Sequence, residues 1–552
     1  MTPGELLVSG GSILPITANR DEGEAVEAML IRDGRIAEAG DLASCERAAR
    51  DPERLDLQGA TVVPGFIDAH CHPLMLGQFL SWTDCGWEAA PTIDNVVEGL
   101  RKAGRLQPKE APIRGYGFNQ GNVAEQRHLT RLDLDQVSGE KEVTVFHSSG
   151  HGLYANTWTL DDRGLGANTP DPNGGHFGRF DDGGLDGSLW DAASDHITGR
   201  DGVKTAGHGP NFHLSDGQDQ LTSQLALAQS VFLSSGITTV VDAQVTGREL
   251  RSYFDLRRQG RLQLRVEMLM LSSMLDQLET LGIHGRLGDD RLAISGVKLY
   301  ADGSLTAGTA RFEKPYCCDP TDHGFLYHDE GEFAELLSRA HGLGVQAATH
   351  AQGDAAIDLV LRSAAEVLNS DPRLDTRHRI EHCGAPTSAQ VERIGELEMY
   401  PISQPQNILR YGDELLTSIG EDRAGRIIPL GEYAAQRVPV VLSSDAPVAP
   451  PSPIEAIFAA TARETISGRV LGPDDQKITV MQALRGHTLG AAESIHREGS
   501  IGSLEPGKLA DFVVLDRDPR ELEPSGVLEM SVVETWMSGA KVAEGPAGQP
   551  MA

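Results

Sequence analysis

Eight short apolar segments alternate with helical stretches through the middle of this 552-residue chain. They have the length and composition of buried strands, and in order they are FIDAHCH, GITTVVDAQ, QLRVEMLML, ISGVKLYADG, VQAATHAQG, HRIEHCG, YPISQPQ and PVVLSSDAPV. Helical patterns such as GEFAELLSRAHGLG lie between most of them. Strand alternating with helix eight times predicts an α/β protein built on a (β/α)₈ TIM barrel.

Metal-binding side chains lie at or near the ends of five of these segments. They are His70 and His72, Lys298, His350, His382 and Asp445. Alternation along a strand places His70 and His72 on one face and Cys71 on the other. Barrel enzymes carry their active sites at the carboxyl ends of the strands, where these side chains would meet. Nitrogen and carboxylate donors suit a divalent ion in a hydrolase, with zinc expected and manganese or iron as alternatives.

The remaining segments predict two additions to the barrel. Both ends of the chain are rich in short strands, and Asp33-Gly34 is a hairpin signal between two of them. We therefore predict a small β-sandwich domain composed of residues 1–61 and 498–552, with the barrel over 62–497. A glycine- and aspartate-rich stretch from about 80 to 219 exceeds an ordinary loop, and it is predicted to form an inserted subdomain after the first barrel strand.

Charge and composition limit the classes of molecule that this protein is expected to bind. A formal net charge of −32 argues against nucleic acid, which requires a basic face, and against an anionic membrane surface. The first residues, MTPGELLVSGG, do not have the pattern of an export signal, and about eighteen consecutive apolar residues occur nowhere. The six cysteines show no paired CxxC spacing. These features predict a cytoplasmic protein that acts on a small molecule.

Six phrases carry a resemblance to a known family. They are VVPGFIDAHCH, YADGSLTAGTA, HAQGD, IEHC, SSDAPV and GSLEPGKLADFVVLD. In this order they resemble the amidohydrolase superfamily of metal-dependent hydrolases. More narrowly, they are similar to the amidohydrolase 3 branch, which includes N-substituted formamide deformylases. The resemblance covers nearly the whole chain, and because relatives often form dimers it allows a homodimer here.

The resemblance implies a role for each candidate ligand. His70 and His72 would bind the more buried ion, and His350 and His382 the more exposed one. Asp445 would be both a ligand and a proton carrier. Lys298 falls where many relatives carry a carboxylated lysine that bridges two ions. A competing interpretation leaves Lys298 unmodified and paired with Asp302 beside a single zinc.

The expected reaction is cleavage of a C–N bond in an amide, formamide, imide or carbamate. A metal-activated hydroxide would attack the carbonyl carbon, and Asp445 would pass its proton to the leaving nitrogen. His151, in the phrase HSSGHGLYAN, is expected to hold the substrate carbonyl. The alternative is a structural histidine whose hydrogen bonds are all made within its own loop. Asn119 stands where relatives more often carry an aspartate, so a charged role there stays open. Gln404 is expected to be structural.

Two other functions stay open at this point. One is an aminohydrolase that releases ammonia from a heterocycle. Such relatives commonly lack the lysine and carry a glutamate shortly after the fifth-strand histidine, whereas here Lys298 is present and Ala351 to Asp354 follow His350. The other is a non-catalytic scaffold that keeps the hydrolase fold. A scaffold would bind no stoichiometric divalent ion.

Overall fold

The structure, a computed structural model, describes residues 4–17, 24–198, 207–211, 214 and 216–545. The chain begins with short strands and one helix: β1 (Glu5–Ile13), β2 (Val26–Arg32), β3 (Arg35–Gly40), α1 (Leu42–Ala48), β4 (Glu53–Asp56) and β5 (Thr61–Pro64). β2 and β3 form a hairpin. Its two turn residues, Asp33 and Gly34, have φ angles of 51° and 76°, as the Asp-Gly signal predicts.

The first barrel strand precedes the insertion. β6 (Phe66–Cys71) leads into α2 (Pro73–Phe79). Ten elements follow: β7 (Thr83–Asp84), α3 (Ile93–Leu106), β8 (Ile113–Phe118), α4 (Arg131–Asp135), β9 (Val143–His147), β10 (Gly152–Ala155), α5 (Thr157–Asp162), β11 (Gly175–Arg179), β12 (Leu185–Asp191) and α6 (Asp195–Thr198). The six strands form one sheet in the order β11-β12-β10-β9-β8-β7. The insertion therefore has a sheet and an apolar core of its own, around Leu100, Val145 and Tyr154.

The remaining barrel strands follow the insertion. They are β13 (Ile237–Val245), β14 (Arg265–Leu271), β16 (Leu292–Tyr300), β17 (Gln346–Ala351), β18 (Arg379–His382), β19 (Tyr400–Ser403) and β20 (Val441–Leu442), with a short β15 (Leu287–Gly288) that pairs with β16. From β6 to β20 the eight strands lie in sequence order and all pair in parallel. The barrel predicted from the sequence is confirmed.

Helices cover the outside of the barrel. They are α7 (Gln218–Ser234), α8 (Gly247–Arg258), α9 (Leu275–Thr280), α10 (Glu330–Gly342), α11 (Asp354–Ser370), α12 (Ser388–Glu396), α13 (Gln406–Ser418), α14 (Glu421–Ala424), α15 (Leu430–Gln436), α16 (Pro453–Ala462), α17 (Val480–Gly486) and α18 (Leu489–Glu493). Phe232, Val240 and Val360 belong to the large apolar cluster between helices and strands. Among the described residues, no helix combines the length and apolarity needed to cross a membrane.

The last strands return to the sheet that the first ones began. They are β21 (Phe512–Leu515), β22 (Val532–Met537) and β23 (Ala540–Glu544). The sheet order is β23-β22-β21-β5-β1-β2-β3, and β4 pairs with β1. Both ends of the chain thus share one sheet, as the sequence indicates, while the exact limits of the three units stay predictions. β21 pairs with β5, and only Gly65 separates β5 from β6.

Candidate metal centre

Three donors converge where the two ends of the barrel sheet meet. Asp445 Oδ1 lies 3.4 Å from His70 Nε2 and 3.3 Å from His72 Nε2. The ligand atoms of these three residues all lie within 4.8 Å of one another, and all three residues are buried. Two backbone hydrogen bonds hold the histidine segment and the aspartate segment together. Asp445 N donates to His70 O, and His72 N donates to Ala446 O, both at 2.8 Å.

The other candidate ligands surround this group. The ring centroid of His382 lies 4.7 Å from that of His70 and 4.5 Å from that of His350. Lys298 is fully buried, and its Nζ lies 4.7 Å from the ring centroid of Tyr300. The structure therefore brings all six sequence-predicted ligands to the carboxyl end of the barrel.

Each of three histidines uses one ring nitrogen for a hydrogen bond within the protein. His70 Nδ1 contacts Glu381 Oε2, His382 Nδ1 lies 2.8 Å from Gln404 Oε1, and His350 Nε2 lies 2.9 Å from Gly303 O. Because these acceptors are oxygens, the bonded nitrogen carries the proton and the other nitrogen keeps a free lone pair. Metal-binding histidines are usually oriented in this way.

The donor set fits a divalent ion. His70 Nε2 and Lys298 Nζ are buried, and neither has a hydrogen-bond partner among the described residues. Buried polar atoms without a partner are rare in folded proteins, and a bound ion can satisfy such atoms. Imidazole nitrogens with a carboxylate oxygen are the ligands that zinc and related divalent ions prefer.

Burial controls the protonation of the site. It lowers the pKa of His70 and of His350 well below the usual value, and that of His382 to about 3, so these rings are neutral as metal binding requires. Burial also lowers the pKa of Lys298 to about 8. Burial acts to raise the pKa of Asp445, but the hydrogen bond from His72 and the electrostatic effect of the surrounding basic groups outweigh it, and the net shift is downward.

The competing interpretation of Lys298 is wrong in one respect, because Asp302 does not pair with it. The Asp302 carboxylate accepts backbone N–H groups of Gln352, Gly353 and Arg311 at 2.8 to 2.9 Å. β16 ends at Tyr300, so strand alternation no longer governs the direction of Asp302. Burial raises the pKa of Asp302 to about 7.

A cavity of about 20 Å³ adjoins the ligands. Among the described residues that line it, only His151, His382 and Asp445 are ionisable. Apolar side chains and neutral polar residues complete the wall: Leu305, Leu415, Ile427, Ile428 and Val448, with Ser149, Ser304, Thr306, Gln352, Gln404 and Asn407. The insertion thus brings His151 to the barrel site, as the sequence predicts.

The other residues singled out in the insertion lie in hydrogen-bond networks. His147 Nε2 lies 2.9 Å from Gln120 Oε1, and Gln120 Nε2 donates to Glu414 at 2.8 Å. Asn119 Nδ2 lies 3.3 Å from the same carboxylate. Asn156 caps α5 by accepting a hydrogen bond from Thr159 N. The contacts with Glu414 join the insertion to α13 of the barrel.

Several residues around the candidate ligands were not identified from the sequence. Glu381 and Arg379 form a buried ion pair behind His70, and Asp191 bonds His151. For the first two there was a signal, since charged residues at alternate positions in the apolar strand HRIEHCG face one side. Asp191 gave no signal, because its partner lies on another strand of the insertion. Gln404, which we expected to be structural, contacts His382 Nδ1 through Oε1 and also lines the cavity.

The chain is similar along nearly its whole length to several known proteins. An N-substituted formamide deformylase from Arthrobacter pascens is 30% identical over 543 residues, with 97% of each chain covered. Two solved structures of uncharacterised metal-dependent hydrolases are similar throughout. The one from Pyrococcus horikoshii OT3 has a TM-score of 0.75 at 26% identity and covers 94% of this chain and 99% of its own. The one from Pyrococcus furiosus has a TM-score of 0.72 at 29% identity and covers 93% and 99%.

The family profile named Amidohydrolase family matches residues 53–543, which include the whole barrel and nearly all of the C-terminal strands. The chain belongs to the amidohydrolase family and is a metal-dependent hydrolase that acts on carbon–nitrogen bonds other than peptide bonds.

Proposed function

We propose that this enzyme hydrolyses compact, uncharged N-substituted amides, with formamides as the preferred class. One observation carries the proposal: Asp445 Oδ1 lies 3.3 to 3.4 Å from His70 Nε2 and His72 Nε2, beside a cavity. Apart from Asp445 and two histidines, the described residues that line this cavity are apolar or neutral. A neutral substrate enters such a site without leaving a buried charge unpaired.

The residues that would hold the ion or ions are His70, His72, His350, His382 and Asp445. A bound divalent ion lowers the pKa of water and polarises a carbonyl group. Zinc is the proposed ion, with manganese and iron as alternatives. We also propose that Lys298 is carboxylated. Its Nζ would form a bond to the carbon of carbon dioxide and lose a proton, and the resulting carbamate would bridge two ions. This proposal is supported by the buried Nζ of Lys298, which has no hydrogen-bond partner among the described residues.

Asp445 would carry the proton. Oδ1 faces the two histidines, so Oδ2 is the oxygen that takes the proton from water as the water oxygen bonds to the carbonyl carbon. The same oxygen returns this proton to the nitrogen as the C–N bond breaks, and a carboxylic acid and an amine leave. Proton transfer of this kind contributes about 10²- to 10⁴-fold in rate.

The cavity lining and one relative support a small, uncharged substrate such as a formamide. Leu305, Leu415 and Val448 give the cavity an apolar wall. The relative at 30% identity is named as a formamide deformylase, which agrees with this choice.

A panel assay tests the proposal. Enzyme reconstituted with zinc, manganese or iron would be given an N-alkylformamide, the matching acetamide, a cyclic imide and a carbamate. Release of the amine and the acid would be followed by mass spectrometry. We expect the formamide to be cleaved fastest and chelation to abolish turnover. Release of ammonia from aminated heterocycles without amide cleavage would instead indicate a deaminase. Absence of stoichiometric metal would indicate a scaffold.

A further inference from the structure

His151 is held by a carboxylate from the neighbouring part of the inserted sheet. Its Nδ1 lies 2.6 Å from Asp191 Oδ1, and both residues are buried. His151 immediately precedes β10, and Asp191 is the last residue of β12. The two strands are antiparallel neighbours, and Asp191 N donates to His151 O at 2.7 Å. The pairing of the strands therefore places the two side chains together.

The barrel holds the same carboxylate from the other side. Tyr327 Oη donates to Asp191 Oδ1 at 2.6 Å, and Tyr327 N donates to Ala301 O directly after β16. Gly174 packs against the tyrosine, and a Cβ there would lie 3.2 Å from Tyr327 Cδ1. Asp191 is thus fixed both by the insertion and by the loop that follows the strand carrying Lys298.

The backbone of Asp191 is strained. Its φ of 48° and ψ of −120° lie outside the regions that residues with a side chain normally occupy. Such conformations are energetically unfavourable and persist where the surroundings impose them, often at functional sites. A neutral packing role for this side chain would not require that cost.

The contact determines which nitrogen of His151 carries a proton. An ionised carboxylate only accepts hydrogen bonds, so Nδ1 carries a proton, and when the ring is neutral Nε2 keeps its lone pair. His151 lines the cavity together with His382 and Asp445, and its ring centroid lies 5.2 Å from that of His350. In the neutral form of this tautomer Nε2 accepts a hydrogen bond, whereas holding a carbonyl oxygen, the role expected from the sequence, requires Nε2 to carry a proton.

We propose that Asp191 is a positioning residue for His151, and that His151 Nε2 accepts a hydrogen bond from the N–H of the substrate amide. This inference rests on the proposed function and narrows its substrate class to secondary amides, which have an N–H. A tertiary amide leaves Nε2 without a partner. A site built to bond a substrate N–H discriminates strongly against an analogue that lacks it.

The test compares an N-alkylformamide with its N,N-dialkyl counterpart. We expect the wild type to prefer the secondary amide at least tenfold in kcat/KM. Asp191→Asn and His151→Gln should each reduce this preference to about threefold or less. The double variant should be no worse than His151→Gln alone, because Asp191 acts through His151. A preference that persists in both single variants would come from steric exclusion and would overturn the proposal, as would multiplicative effects.

Two further measurements separate this proposal from the proposed function. If the wild type cleaves neither amide, the proposed function fails and the substrate contact fails with it. Nitrogen-15 spectra of the histidine rings still test the positioning, because the Nδ1-protonated tautomer of His151 should be present in the wild type and lost in Asp191→Asn. An unchanged tautomer would overturn it. Tyr327→Phe keeps the carboxylate and should weaken the preference less than Asp191→Asn does.

Discussion

Glu381 accepts a hydrogen bond from Nδ1 of His70 at the base of the metal centre, and both side chains are fully buried. Arg379 binds the other side of the carboxylate, with Nε 2.6 Å from Oε1 and Nη2 2.9 Å from Oε2. Its Nη2 also donates to Ala69 O at 2.6 Å. This arrangement turns His70 Nε2 toward Asp445 and fixes the ring before any ion arrives.

Glu381→Gln should weaken metal binding by about 10- to 100-fold, which is the usual effect of removing a carboxylate that orients a ligand histidine. Competition with a chromophoric chelator measures the affinity. Glu335→Gln, on the outward part of α10, is the matched control. Unfolding of the metal-free variants separates loss of affinity from loss of stability, and unchanged affinity in Glu381→Gln would contradict the orienting role.

Asp445→Asn should retain the ion and lose turnover by at least about 100-fold. The amide oxygen still faces His70 and His72, but the side chain no longer takes up a proton at neutral pH. Elemental analysis gives the metal content, and steady-state kinetics on the best substrate of the panel gives kcat. Turnover close to that of the wild type would show that Asp445 is not the group that transfers the proton.

Glu414 should make stability depend on pH. Burial raises its pKa to about 7 from an ordinary 4.5, while hydrogen bonds from Asn119 and Gln120 act in the opposite direction. The folded protein therefore holds a proton that the unfolded chain has already lost, so stability falls as pH rises from about 4.5 through about 7. The loss amounts to about 3 kcal/mol at most.

Glu414→Gln removes this titration at the cost of about one hydrogen bond, roughly 1 kcal/mol at every pH. Melting temperatures measured from about pH 5 to pH 8 should fall less in the variant than in the wild type. Other buried carboxyls contribute equally to both proteins and cancel in the comparison. Parallel curves for the two proteins would show that Glu414 is ionised throughout this range.

Asp511→Ala should lower the free energy of unfolding by about 3–5 kcal/mol, because it leaves a buried arginine unpaired. Arg265, at the start of β14, binds Asp511 through Nε at 2.5 Å and Nη2 at 2.9 Å. Asp276→Ala is the control, since that residue pairs with Arg339 at an exposed site and should cost less than about 1 kcal/mol. Chemical denaturation compares the two, and equal effects would show that the buried pair contributes little.

The sequence predicts the barrel, and the meeting of the candidate ligands at one end of it, for a physical reason. Chain order determines which strand ends meet at the carboxyl end of a parallel barrel, so His70, His72 and Asp445 could be assigned to that end from the sequence alone. The partners of those residues depend on contacts between strands. Glu381 reaches His70 across the barrel, and Asp191 meets His151 through the pairing of two insertion strands. Such contacts have no fixed spacing in the sequence.

Asp302 shows where periodicity stops being informative. Alternation from Lys298 through Tyr300 would bring its carboxylate to the same face, but the strand ends at Tyr300 and the loop turns Asp302 toward backbone N–H groups at the start of α11. Periodicity holds only while the strand continues, and the end of a strand is the least certain feature of a sequence-based assignment.

The strand that bears His70 continues, across one glycine, from a strand of the sheet that both ends of the chain share. Val63 of β5 pairs with Val513 of β21. The backbone therefore couples this sheet directly to the first two candidate ligands, His70 and His72. We expect local loosening of the sheet to weaken metal binding before the barrel itself unfolds.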